Sequence, residues 1–197
     1  MSSKVIKLKT EKSALVLHDI NEEMGDIIRQ CVETVDAELI VKPEITVFGK
    51  VCKQNRSIGF YSDTSVGYYY SGKLAASKPL HPCLRELLRY VNDKFDYDYN
   101  GILINKYSGG EDYISKHSDD ENGLDSEVGV VAISYGAVRK FRIRNKVTGK
   151  IVVDVPTESN KIIQMAGDFQ KEFTHEIPVE KTVKGVRYSL TFRKHLK

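Results

Sequence analysis

The chain is short of cysteine, and the few it has do not pair. Its 197 residues include three, Cys31, Cys52 and Cys83, odd in number, widely spaced and without a CxxC. That argues against a thiolate zinc site or a disulfide framework, and suits a reducing, intracellular setting in nucleus or cytoplasm. Long apolar runs are missing too. None approaches the roughly 20 residues that cross a bilayer, so no membrane partner is expected. The opening MSSKVIKLKTEKS has lysines but no apolar segment before a cleavage site, so it does not read as a secretory signal. There is no strong excess of one charge. A net charge of +3 permits nucleic-acid contact without arguing for it. No repeat or low-complexity stretch is visible. What remains is ordinary: 41% hydrophobic and 29% charged residues, in a length that suits one monomeric domain with a real core.

Two segments have helical spacing. Residues 20–37 place Met24, Ile27, Ile28, Cys31 and Val35 three and four apart, and residues 80–95 do the same with Leu84, Leu87, Leu88, Val91 and Phe95, after Pro79 and Pro82. Most of the rest alternates or is β-branched. Candidate strands are 45–52, 58–61, 67–71, 101–107, 129–135, 139–144, 150–155, 161–166, 172–179 and 186–193, with 145–149 (NKVTG) as a hairpin turn. The expected fold is mainly β with flanking helices (α+β), built on a double-stranded β-helix, or jelly roll. The expected division is an N-terminal extension and helix over 1–44, hairpins and a support helix over 45–99, and the jelly-roll core over 100–197.

The chemistry starts with His117 and Asp119. Two apart in extended backbone, their side chains point the same way and can reach one ion. Alone the pair reads more readily as a surface HSDDE turn. His175, 56 residues after Asp119, supplies a second imidazole on a strand-like run. Two imidazoles and a carboxylate can hold one face of an octahedral metal, as in non-heme Fe(II) oxygenases. The last strand, VRYSLTFRK, alternates Tyr188, Leu190 and Phe192 with Arg187, Ser189, Thr191 and Arg193. Its arginines stand roughly 20 Å apart along the strand, and their long arms can converge on a small dicarboxylate such as 2-oxoglutarate. The bland alternative is a solvated polar face. Asn105 and Tyr107 share a face and offer an amide and a phenol to the same co-substrate. Arg139, Lys140, Arg142, Arg144, Lys146 and Lys150 fall within twelve residues without an acid. They read either as a solvated hairpin edge or as a phosphate-contacting surface. His18 and His81 read as structural or surface residues, and His195 as part of a frayed basic tail.

Taken together, N-K-Y-(x9)-H-S-D-D-E, M-A-G-D-F-Q-(x4)-H-E-I-P and R-Y-S-L-T-F-R resemble the AlkB family of 2-oxoglutarate- and Fe(II)-dependent nucleic-acid dealkylases. I-T-V-F-G-K, R-S-I-G-F-Y and Y-Y-Y-S-G are similar to the recognition hairpins of its eukaryotic duplex-DNA repair branch. The likeness covers about residues 45–195. It implies Fe(II) on His117, Asp119 and His175. It implies 2-oxoglutarate held by Arg187 and Tyr107 at the distal carboxylate and by Arg193 and Asn105 near the metal. Ser189 belongs to that set, although many members have asparagine there. The resemblance further implies Glu121 at the edge of a flipped base, Tyr70 stacked on it with Tyr68 nearby, Phe48 as a wedge in the vacated stack, and Arg56 along the nucleic-acid path. The partners would be alkylated DNA or RNA, with O₂ as co-substrate. One departure is the loop PVEKTVKG after the distal histidine, where Glu180 and Thr182 interrupt the lysines. It leaves single strands open as substrate. The alternatives are a 2-oxoglutarate oxygenase acting on protein or on another RNA modification, and an inert jelly-roll nucleic-acid-binding module.

Overall fold

The central strands of the larger sheet are covered on both faces, so nearly every residue in them is buried. The computed structural model describes residues 3–8, 10–47, 49–70 and 73–196. Seven strands, numbered in chain order, form the larger sheet. Across it they run β1 (Ser3–Ile6), β2 (Ser13–Asp19), β13 (Lys161–Gly167), β10 (Val130–Gly136), β15 (Arg187–Arg193), β8 (Gly101–Tyr107) and β5 (Ser57–Tyr61). A smaller sheet faces it, with β12 (Ile151–Pro156), β11 (Lys140–Asn145), β14 (Phe173–Ile177) and β9 (Ile114–His117). Two separate hairpins, β3–β4 (Glu44–Val47, Lys50–Lys53) and β6–β7 (Gly67–Tyr70, Lys73–Ala76), complete the strands. This is the jelly-roll core with flanking helices expected from the pattern.

The helices cover the outer face of the larger sheet. In α1 (Glu22–Val35), the Asn21 side chain caps the Met24 N–H at 3.1 Å, and Glu22 and Glu23 sit against the positive end of the helix dipole. α2 (Pro82–Phe95) starts with proline where no backbone donor is needed, and stops at Asp96 in the left-handed conformation. Met24, Ile28, Cys31, Val32 and Val35 of α1 and Leu84, Leu87, Leu88 and Val91 of α2 pack on Ile102, Ile104, Val131, Ile133, Ile162, Leu190 and Phe192. A second apolar cluster lies between the sheets. There Leu15, Val130, Ile163 and Met165 meet Phe141, Ile143, Phe169, Phe173 and Ile177.

Three places differ from the sequence reading. Residues 3–19, in a segment without a recognised motif, provide two strands of the larger sheet, with β2 paired to β13 from Lys161↔Asp19 to Gly167↔Ser13. Their partner lies about 150 residues away, so no local turn announces them. The run 45–52 is not one strand but the β3–β4 hairpin, paired from Glu44↔Lys53 to Val47↔Lys50. His195 is not frayed. It is 6% exposed and packs on Phe60 at 4.7 Å between ring centroids. His18 and His81 are structural as read, bonded to Gln164 and Glu38 respectively.

Leu87→Ala removes a fully buried side chain from the helix–sheet layer and is expected to cost about 2–5 kcal/mol. Urea denaturation should show a lower midpoint with an unchanged slope. Val147→Ala, at a position 93% exposed, should stay within about 0.5 kcal/mol of the parent.

Candidate metal and co-substrate site

Pairing between β14 and β9 brings the two histidines together. His175 stands directly opposite His117 in the ladder, with ring centroids 4.3 Å apart. Asp119 follows β9 in a loop that turns inward, and its side chain is fully buried. Its Oδ1 lies 3.7 Å from His117 Nε2 and its Oδ2 lies 3.7 Å from His175 Nε2. One ligand atom from each residue falls within 4.8 Å of the others, and this is the one such cluster among the described residues. The expected triad is therefore assembled in space.

Its electrostatic state suits a cation. Burial pulls the His175 imidazole down to about 3, and it also lowers His117. Both rings are neutral at pH 7, as a metal requires. His117 Nδ1 is 2.9 Å from the Ser115 carbonyl, so the proton sits there and the Nε2 lone pair faces Asp119. Burial alone would raise the Asp119 carboxyl, but the Arg193 guanidinium brings it down to about 2. Arg193 Nη2 donates to Asp119 Oδ1 at 2.6 Å, and the Asp119 N–H donates to Gln170 Oε1 at 2.9 Å. Asp119 Oδ2 is buried without a hydrogen-bond partner. Two neutral imidazoles, one carboxylate and an orphaned carboxylate oxygen fit Fe(II) by the chemistry of the donors.

The same cavity contains the basic face of β15. Register places Arg187 beside Tyr107, Ser189 beside Asn105 and Thr191 beside Leu103 on β8. Arg187 donates through Nε to Thr157 Oγ1 at 3.0 Å and through Nη2 to Ser134 Oγ at 3.1 Å, and its guanidinium lies 5.2 Å from the centre of the Tyr107 ring. Burial lowers it to about 10, still charged at neutral pH. Arg187 Nη1 and Arg193 Nε and Nη1 are buried with no acceptor. Such groups are expensive to leave unsatisfied, and a dicarboxylate would supply the missing acceptors. Ala132, Phe141, Ile163 and Met165 make the apolar wall between.

The remaining expected residues fall as follows. Arg56, expected along the nucleic-acid path, is a buried residue. It is 4% exposed, lines this cavity and donates to Asn105 Oδ1 at 2.7 Å, because the chain entering β5 runs beside β8. Tyr68 is buried under Arg193, 5.1 Å from its ring centre, and its hydroxyl donates to Glu121 Oε1 at 2.5 Å. Glu121 Oε2 is buried without a partner, and burial raises that carboxyl. Tyr70 lies in β6, paired with Lys73, but its side chain is outside the described residues, as is all of Phe48.

Sequence reasoning missed Ser134, Thr157, Gln170 and Arg139. Ser134 was within reach, since it shares the inward face of β10 with Val130 and Ala132. Thr157 and Gln170 carry no sequence signal. Arg139 was read as part of a surface run, yet it is fully buried. It donates to the carbonyls of Gly109, Gly110, Asp112 and Pro178 and to Glu180. It thereby ties the Gly-Gly turn after β8 to the loop after β14. A Cβ on Gly110 would stand 1.8 Å from the Glu180 carbonyl oxygen, which explains a glycine there. Arg139 also flanks Tyr107 at 5.9 Å, so that ring contacts two guanidiniums.

Comparison with known proteins agrees with this geometry. The model of the family described as "2OG-Fe(II) oxygenase superfamily" matches residues 15–193. The human protein named DNA oxidative demethylase ALKBH2 is 31% identical over 181 residues, covering 88% of this chain and 69% of its own length. The human alpha-ketoglutarate-dependent dioxygenase alkB homolog 3 is 29% identical over 150 residues, covering 72% of this chain and 52% of its own. The solved structure of OsALKBH1 superposes with a TM-score of 0.57 at 18% identity, covering 91% of this chain and 97% of that one. That last likeness concerns the fold.

Two outcomes follow from the donor sets. Anaerobic Fe(II), or Mn(II) in its place, should raise the unfolding temperature of the parent, by about 2.7 kcal/mol of stability at a hundredfold excess over Kd. His175→Ala should keep its circular dichroism spectrum but lose that shift. Arg187→Met should weaken 2-oxoglutarate binding by about 10- to 100-fold, the loss of a charge-assisted hydrogen bond, with metal binding intact in calorimetry.

Proposed function

The chain belongs to the 2OG-Fe(II) oxygenase superfamily, and from that membership we propose that it removes N-alkyl groups oxidatively from flipped-out nucleic-acid bases. N1-methyladenine and N3-methylcytosine are the lesions in view. The overall reaction consumes 2-oxoglutarate and O₂, and yields aldehyde, succinate, CO₂ and the unmodified base. We further propose a monomer acting inside the cell. The observation that carries this reading is one cavity holding a neutral-imidazole and carboxylate triad and two arginines with unmet donors, with Tyr68 on its wall bonded to Glu121 of the adjoining cavity. The names of the relatives favour DNA as the nucleic acid.

Each residue has a task. His117, Asp119 and His175 hold Fe(II), which with 2-oxoglutarate and O₂ supplies the oxidising chemistry. Ser115 fixes the tautomer of His117, while Gln170 and Arg193 fix the pose of Asp119. Arg187 takes the far carboxylate of 2-oxoglutarate through Nη1, its other donors being held by Ser134 and Thr157. Arg193, Asn105, Ser189 and Arg56 surround the near end. Glu121 presents Oε2 to the exocyclic amine of a cationic alkylated base. Tyr68 holds the other oxygen in place. Tyr70 stacks on the base and Phe48 fills the space it leaves. A base inside a duplex must first be extruded at a cost of a few kcal/mol, less for a lesion that pairs badly.

Single strands are the better substrate in this reading. Most of the basic run 139–150 is already paired with neighbouring acids. Arg142 bonds Asp154 through both carboxylate oxygens at 2.8 Å, Arg144 bonds Glu176 at 2.9 Å, and Lys146 bonds Asp120 at 2.6 Å. Lys146 also donates to the carbonyl of Gln170, whose side chain holds Asp119, so this surface flanks the metal site. Glu180 occupies Arg139 and Lys140 in the same way. A face with balanced charge releases few counterions from a second strand. The exposed Lys50 and Lys53 lie instead on the β3–β4 hairpin.

The deciding experiment supplies Fe(II), 2-oxoglutarate and O₂ with an oligonucleotide carrying N1-methyladenine. Formaldehyde and succinate should appear in equal amounts. Succinate formed only with a protein or another RNA would transfer the activity to that substrate, and tight binding without turnover would make the chain an inert module. kcat/KM should be higher for the single strand than for the same lesion in a duplex. Equal or better turnover on the duplex would refute the strand preference alone.

A further inference from the structure

The chain does not leave the site when β15 ends. After Arg193 has bonded Asp119, the next three residues run alongside the segment that follows it. The carbonyl of Lys194 accepts from Asp125 N–H at 2.9 Å, His195 forms a β-bridge with Leu124, and Leu196 N–H donates to the Gly123 carbonyl at 2.8 Å. Gly123 has a φ of +97°, and Leu124 N–H closes back on the Glu121 carbonyl at 3.1 Å. Residues 121–124 thus form a tight turn whose exit is stitched to the tail. The tail is anchored on its other side. Asn100 accepts from the His195 N–H at 2.7 Å and donates to its carbonyl at 3.0 Å. The His195 ring lies over Gly101, where any Cβ would come within 2.7 Å of it, and beside Phe60 and Tyr68. A cavity of about 380 Å³ lies here, bounded by Tyr68, Glu121, Leu124 and His195 together with Val66 and Leu74 of the β6–β7 region.

We infer that residues 194–196 are a positioning element for substrate recognition: they hold the 121–125 turn so that Glu121 stays against Tyr68 with Oε2 presented to the base. This rests on the reading of Glu121 given above. Without the tail, Glu121 would depend on one hydrogen bond from Tyr68 and on a turn containing a flexible glycine. The triad itself does not need the tail, because His117, Asp119 and His175 are fixed by the β9–β14 ladder, Gln170 and Arg193.

The test uses Leu196, whose side chain is 55% exposed and whose backbone N–H makes the outermost stitch. Leu196→Pro deletes that donor while keeping extended backbone, and Leu196→Ala retains it. Relative to the parent, Leu196→Pro should raise KM for the methylated oligonucleotide about 3- to 10-fold, the value of one hydrogen bond. Its kcat and its substrate-free conversion of 2-oxoglutarate to succinate should not change, and Leu196→Ala should match the parent throughout. Hydrogen exchange over 121–125 should be faster in the proline variant alone. An unchanged KM, or a parallel loss of substrate-free turnover, overturns the inference. If the parent itself leaves the oligonucleotide untouched, the proposed substrate fails, and unchanged exchange over 121–125 in Leu196→Pro then overturns the positioning role independently.

Discussion

The structure depends on a buried charge contact between its two sheets. Arg193, at the end of the larger sheet, bonds Asp119, which leads out of the smaller one. Neither charge reaches solvent to any extent. Separating them would leave an uncompensated ion in a low-dielectric interior, which is far more costly than losing a surface pair. The pair therefore fixes the separation of the sheets where the ligand atoms meet. It also fixes the charge state of the site, because the guanidinium keeps Asp119 ionised against its own burial.

That contact does not balance the cavity. Arg187 is a second buried cation, paired only with neutral hydroxyls and an aromatic face. A divalent metal on the triad adds positive charge, and a dicarboxylate offsets it while meeting the unmet donors of both arginines. The two cofactors are thus electrostatically complementary to the protein and to each other. A monocarboxylate would leave one guanidinium bare. Two arginines on one strand face, with Ser189 and Thr191 between them, would suit a keto-diacid.

The parts of the molecule legible in sequence are those set by short-range periodicity. The alternation in β15 separated Leu190 and Phe192, which meet the helices, from Arg187 and Arg193, which line the cavity. The bland reading of that polar face was solvent, and it fails because a second sheet covers it. The helices were equally plain, since their apolar stripes recur every three or four residues. Long-range partnership was not legible. β1 and β2 join the larger sheet through β13 alone, Arg139 is buried by carbonyls from two distant loops, and the charges of Arg142 and Arg144 in β11 and of Lys146 just after it are matched by acids on β12, β14 and the 118–121 segment. Charge runs read along the chain overstate surface potential when the compensating acids arrive from neighbouring strands.

The same limit explains His195. At a chain end, beside lysines, it has the composition of a frayed tail. Its burial is decided by Gly101, a residue that shows nothing except the absence of a side chain, and by Asn100, which captures both backbone groups of the histidine. Because β15 pairs with β8 along its whole length and with β10 from Arg187 to Phe192, the tail leaves the sheet from a fixed point and in a fixed direction. Its contact with the 121–125 turn is thus an extension of the sheet register that places Arg187 beside Tyr107. One strand sets the outer core, the co-substrate arginines and the turn carrying Glu121, so a register error in β15 would disable all three together.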